Sequence, residues 1–228
     1  VAHAGAAHAD AVTVALSADN GAVNDGASAA IAAADPAMAA FIARAGRLPD
    51  RPAEGDPFVS LARAIVFQQL AGKAAAAIYR RLLESIGGVM APAALLARAP
   101  DELRAAGLSN NKTLALIDLA TKATDGSVPL GELAALPDDE IVERLVSVRG
   151  IGRWTAEMFL LFELRRPDVW PVDDFGVRNG YSLIHDLPET IKPRALASAG
   201  ERYRPFRTTA ALYCWHAVHL RRGTTPAR

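Results

Sequence analysis

Residues 145–180 run LVSVRGIGRWTAEMFLLFELRRPDVWPVDDFGVRNG, and the rest of the chain is arranged around them. Two apolar-periodic segments flank a short turn, Gly150-Ile151-Gly152-Arg153, and an acidic pair, Asp173-Asp174, follows a proline-bounded loop. Glycines at 150 and 152 permit positive φ and let backbone amides approach a neighbour with no Cβ in the way. The helix that opens near Arg153 has N–H groups without intrahelical partners at the positive end of its dipole, where a phosphate oxygen is a natural acceptor. An ordinary tight connection between two helices would use the same residues. The turn is not a dinucleotide fingerprint, because no strand-like run precedes it and the third glycine is missing.

The helix after the turn is apolar on two sides. Trp154, Met158 and Leu161 recur at i, i+4 and i+7, while Ala156, Phe159 and Leu160 share another face. Both faces must be buried, one in a core and the other either in that core or along an apolar cleft. Trp154 is thus either a core aromatic or an indole presented beside the turn. Beyond this helix, Val169–Val172 is extended, since each residue before a proline is pushed out of the right-handed helical region. One acid of the Asp173-Asp174 pair caps the next helix, which leaves the other available for chemistry.

Working toward the N-terminus, 3.6-residue periodicity from 58 to about 86 predicts one long helix carrying Gln68 and Gln69, with Gly72 after them. Gly107 reads as a C-cap, and a helix over 109–124 follows with Leu114, Ile117, Leu119 and Ala120 inward. Two more helices are expected at 130–136 and 138–148, the second entered through proline and an acidic first turn. An Ala-rich helix over 28–45 breaks and restarts at Asp35-Pro36. Residues 1–27 read as a mobile or loosely packed arm, and 48–57, with three prolines, as a linker. A late apolar helix covers 208–220. No alternating strand pattern stands out, so the chain is all-α with short loops.

Composition narrows the function classes. Lys plus Arg and Asp plus Glu balance at 25 each, but residues 144–228 carry 14 basic and 8 acidic residues against 11 and 17 before them. Such asymmetry suits a face that meets a polyanion. The single Cys214 excludes an intrachain disulfide and a Cys-ligated iron–sulfur cluster. The five histidines have no zincin spacing, and His216 and His219 read as surface or satisfied residues. No run of 18 apolar residues implies a membrane span, and no signal-peptide pattern opens the chain. A reducing cytoplasm is expected.

The residues Leu145, Gly150-Ile151-Gly152, Trp154-Thr155-Ala156 and Asp173-Asp174 resemble the helix-hairpin-helix Gly/Pro-Asp superfamily of DNA glycosylases, nearest to its 3-methyladenine DNA glycosylase II (AlkA-type) branch. RAIVFQQL, GLSNNK, GIGRWTAEMFL, RPDVWPVDDFGVR and ALYCWHAVHL extend the likeness from about Phe58 to His219. The resemblance implies two helical lobes with a cleft between them and the hairpin at the cleft: a terminal lobe of 28–57 plus 166–228, and a central lobe of 58–165. With few residues before Phe58, no N-terminal β domain is expected.

It further implies a monofunctional glycosylase that flips alkylated purines such as 3-methyladenine and 7-methylguanine out of double-stranded DNA and leaves an abasic site. In lyase relatives a lysine stands where this chain has Trp154, and no lysine lies between Lys122 and Lys192. Asp174 is the implied catalytic acid, with Asp173 as a supporting cap. Trp154, Trp215, Met158 and Gln68 would line the substrate pocket, and Gln69 would wedge into the duplex. Gly150, Gly152, Thr155, Arg178, Lys192, Arg204 and Arg207 would meet phosphates. The carbonyls of Val146, Val148 and Ile151 would hold a structural Na⁺ or K⁺, and no cofactor is required for chemistry. The implied enzyme is a monomer, nucleoid-associated in a bacterial-type cytoplasm. A glycosylase for other damaged or mismatched bases, and a non-catalytic helix-hairpin-helix DNA-binding module, remain as alternatives.

Overall fold

Asp35 ends one helix and starts the next, and the computed structural model, which describes residues 21–48 and 55–223, builds outward from such capped corners. α1 (Gly21–Ala34) runs into Asp35, whose carboxylate accepts the amides of Ala37 and Met38 at 2.9 and 3.2 Å, and α2 (Pro36–Ala45) begins with proline at its first position. The break at Asp35-Pro36 is as the sequence predicts. Residues 21–27, expected within the arm, are helical and Ala27 is buried; the rest of the expected arm, 1–20, and residues 49–54 of the expected linker lie outside the described residues.

The predicted long helix at 58–86 is two helices. α3 (Pro57–Phe67) is capped by Asp56 and stops at Gln68, whose backbone is extended; Gln69 then takes φ 56°, and α4 (Gly72–Ser85) restarts. Apolar periodicity continues across this break because both helices face one core, so periodicity alone cannot reveal it. α5 (Pro92–Leu96) and α6 (Pro100–Ala105) are short and proline-initiated. α7 (Asn110–Asp125) is capped by Ser109 and packs against α3 and α5. It buries Thr113, Ala115, Leu116, Leu119 and Ala120 rather than Leu114 and Ile117, which are half-buried. Only a 3₁₀ turn, Leu133–Ala135, forms where a helix at 130–136 was expected.

α8 (Asp138–Val146) and α9 (Arg153–Met158) are the arms of the hairpin. α9 continues into a π-helical turn, Phe159–Glu163, closed by Leu164 N–H on Phe159 O at 3.1 Å. α10 (Phe175–Ile184), α11 (Pro193–Gly200) and α12 (Arg207–Arg221) complete the order.

By contacts the chain falls into two compact units. One comprises the described residues of Glu54–Leu164; the other takes those of Val1–Ala53 with Arg165–Arg228. In the second unit α12 is the centre, with every residue from Thr208 to His219 buried. His216 and His219 are therefore interior, not surface, residues, and burial pushes both imidazoles below their ordinary pKa. α10 lies so tightly on α12 that a Cβ at Gly180 would sit 1.8 Å from Cys214 O; only glycine fits that crossing. Among the described residues there is no strand, and no helix is long and apolar enough to cross a membrane.

Candidate active site

The turn between α8 and α9 is shaped from behind. Gly150 adopts φ 78°, in the left-handed region, and a Cβ there would stand 3.2 Å from Ala115 Cβ on α7. Gly152 does not share this requirement: its φ is −94°, and a Cβ would meet open space. As the N-cap of α9, with no side-chain cap, it leaves the first amides of that helix uncovered by a side chain of its own. Both glycines are exposed, whereas Thr155 is buried.

Three side chains hold the turn by its backbone. Asp118 Oδ2 accepts the Arg149 amide at 2.7 Å, the Lys122 ammonium donates to Ser147 O, and Gln68 Nε2 donates to Gly150 O at 3.0 Å. Lys122 also pairs with Asp118 at 3.0 Å. Burial pushes the Asp118 carboxyl up, but the Arg149 amide and the Lys122 ammonium outweigh it and hold it below the usual carboxylate range. Gln68, expected at a pocket edge, thus braces the turn. Arg149 is exposed within the turn, with Nη2 3.4 Å from Asn111 Oδ1. The sequence reading passed over Arg149, Asp118 and Lys122, because an acid and a lysine four apart on one helix read as an ordinary surface pair.

Trp154 and Met158 on α9 are half-buried, while Ala156 on the same helix and Phe159, Leu160 and Leu161 in the π turn are in the core. One side of this doubly apolar helix is therefore core and the other retains accessible surface. Leu161, grouped with Trp154 and Met158 by spacing, lies in the π turn and is in the core.

Of the three carbonyls expected at a monovalent cation, that of Val146 belongs to the last residue of α8, while those of Val148 and Ile151 lie in the turn beyond it. Val148 O also closes the turn by accepting Ile151 N–H at 3.1 Å. Among the described residues no group of three or more His, Cys, Asp or Glu could hold a metal.

The acidic pair belongs to the other unit. Asp174 is only 4% exposed. Its Oδ1 accepts the Val177 amide at 2.7 Å and the Trp215 indole N–H at 2.8 Å. Asp174 is therefore the cap of α10 itself. The division of labour expected from sequence, with Asp173 as cap, is overturned: Asp173 is exposed and the helix begins one residue later than that role needs. Capping does not disqualify a working carboxylate, since the same two donors fix its orientation. Trp215 is buried and spends its indole N–H on Asp174. Gly176 makes room for it, since a Cβ there would fall 2.6 Å from Trp215 Cδ1.

The loop that delivers Asp174 is tied down on both sides. Thr208 Oγ1 accepts the Val169 amide at 2.9 Å and donates to Arg166 O at 2.6 Å. Trp170 donates its indole N–H to Leu196 O at 2.9 Å and packs edge-on against Tyr203. Arg204 and Arg207, expected at phosphates, bond Asp168 instead, at 2.7 Å each, and both approach Glu201. Arg207 is largely buried in this cluster and serves to fix the loop. Arg178 Nε donates to Ile191 O at 2.7 Å, whereas Lys192 is exposed at the start of α11.

Comparison with known proteins follows the same residues. The family model described as HhH-GPD superfamily base excision DNA repair protein matches residues 62–205. DNA-3-methyladenine glycosylase 1 of Schizosaccharomyces pombe is 39% identical over 176 residues, which are 76% of this chain and 77% of that one. The solved structure of the S. pombe 3-methyladenine DNA glycosylase in complex with abasic DNA superposes with a TM-score of 0.72 at 36% identity, covering 83% of this chain and 95% of that one. A DNA-3-methyladenine glycosidase from Bacillus halodurans gives 0.80 at 33% identity, covering 91% and 94%.

Proposed function

Because the chain belongs to the HhH-GPD superfamily of base excision DNA repair proteins, we propose that it excises alkylated, cationic purines such as 3-methyladenine and 7-methylguanine from double-stranded DNA, working as a monomer at the nucleoid. It is a hydrolytic N-glycosylase. The C1′–N bond breaks with its electron pair leaving on the base, which departs neutral when the alkylated purine was a cation. Water supplies oxygen to C1′ and gives up a proton.

The observation that carries this reading is the buried carboxylate of Asp174, oriented by Val177 N–H and the Trp215 indole. A fixed, partly desolvated anion stabilises the positive charge that develops on the sugar, and it can orient the attacking water and take its proton. Trp154 and Met158 supply accessible apolar surface on α9, and an indole face attracts a desolvated cationic purine by roughly 2 kcal/mol. The turn amides near Gly150 and Gly152, with Thr155 behind them, grip a phosphate, and Arg149, Arg178 and Lys192 add charge. Gln69 enters the space vacated by the base. Val146, Val148 and Ile151 would hold a Na⁺ or K⁺ that stiffens the turn, and no step of the chemistry passes through it. With Trp154 where a Schiff-base lysine would stand, the product is an abasic site with an unbroken strand.

The test is release of free base from a methylated duplex, with Asp174→Asn beside the natural protein. Release by the natural protein and none by the variant, with duplex binding kept, is expected; equal release by both would refute the role of Asp174.

A further inference from the structure

Gln69 presents a physical problem. Its φ of 56° lies in the left-handed region, which costs a residue with a Cβ enough to make the state a minority unless its surroundings enforce it. Its side chain is exposed, so packing of the side chain does not enforce it. The turn's own hydrogen bond, Leu70 N–H to Phe67 O, is long at 3.4 Å.

The enforcing group comes from α7. Lys112 sits in the first turn of that helix, where its amide is capped by Ser109 Oγ. Its ammonium reaches back under the end of α3 and donates to Val66 O at 2.6 Å and Gln68 O at 2.8 Å. These carbonyls bracket the point where α3 stops, at the negative end of its dipole, where a cation is favoured. An ammonium has three donors and no acceptor, so it can satisfy two carbonyls at once as no apolar side chain can. The neighbouring Gln68 side chain is committed to Gly150 O, which joins the same turn to the hairpin.

We propose that Lys112 is a positioning residue for base extrusion: through its bonds to Val66 O and Gln68 O it holds the Gln69 backbone left-handed, so that the Gln69 side chain is presented to the duplex. This rests on the reading of the chain as a glycosylase with Gln69 as its wedge. Without the tether the left-handed state falls to about one molecule in ten, and the rate of any step that needs it falls by that fraction. Steps that do not require opening a base pair are untouched.

The experiment is single-turnover release of 7-methylguanine by Lys112→Met from two substrates, one with the lesion paired in a duplex and one with it in a single strand. The expected result is about tenfold slower release from the duplex and a single-strand rate within about twofold of the natural protein. Adding Gln69→Asn should recover part of the duplex rate, because asparagine tolerates the left-handed region and keeps an amide. Equal slowing on both substrates, including complete loss through misfolding, overturns the proposal, and so does unchanged release from both. If the natural protein releases base from neither substrate, the glycosylase reading itself fails.

Discussion

The Gly150 turn and the Asp174 carboxylate are built in opposite ways. The turn is exposed and has no reactive side chain, yet its backbone is gripped from beneath by Gln68, Asp118 and Lys122. The carboxylate is buried and reactive, and it is held by one local amide and one indole. A surface that must match a phosphate backbone needs its shape fixed and its amides left open. A charge that must act on a developing cation needs its solvent replaced by fixed dipoles. The first spreads its support over several residues; the second fixes a single reactive group.

That contrast ranks the expected mutational effects. Asp174→Asn should lower single-turnover excision by roughly 10³-fold or more, with little change in thermal midpoint. Asparagine caps helices as well as aspartate and still accepts from Val177 and Trp215, so charge alone is lost. A folded variant with near-natural excision would dissolve the contrast. Trp215→Phe removes a donor to a charged group and should cost about 10–100-fold in kcat, with KM little changed; a change in KM alone would make Trp215 a wall of the base pocket instead.

Asp35 is a second buried carboxylate, without the role of Asp174, and it serves folding alone. Burial would raise its pKa, but the Tyr203 hydroxyl at 2.6 Å, His185 at 2.9 Å and the Met38 amide hold it at about 2, below the ordinary 3.8. A depressed folded-state pKa gives stability that is present above pH 3.8 and lost as pH falls toward 2, here about 2 kcal/mol. Acid titration of stability should show a loss in this window that Asp35→Asn lacks.

On the exposed side, Asp118→Ala and Lys122→Met should each weaken binding of an abasic duplex by about fivefold, the worth of one hydrogen bond, with kcat at saturation unchanged. A hundredfold loss in either would mean that the turn is as brittle as the carboxylate. Smallest of all, Asp173→Ala should alter stability by no more than about 0.5 kcal/mol, as expected of an exposed residue outside the cap.

The sequence carried the hairpin, the helix break at Asp35-Pro36 and the acidic pair, because these depend on spacing along one chain segment. It could not separate Asp174 from Asp173 by capping, since the two residues differ by one position and the boundary is set by how α10 seats on α12. It did not show the break at Gln68, because apolar periodicity runs on across it and the Lys112 ammonium that bonds the carbonyls there comes from more than 40 residues away. Arg207 was misread for the same reason: an arginine in sequence looks available, and only the fold brings Asp168 to it.

The contact of Gly180 with Cys214 has a consequence for inheritance. Every replacement at position 180 is bulkier, and the Cys214 carbonyl leaves no room for even a methyl group. Such an allele would pry the two helices apart and draw the indole of Trp215 away from its acceptor. Loss of repair capacity should therefore arise from missense changes at this buried crossing, through displacement of Trp215 and not through loss of a reacting group.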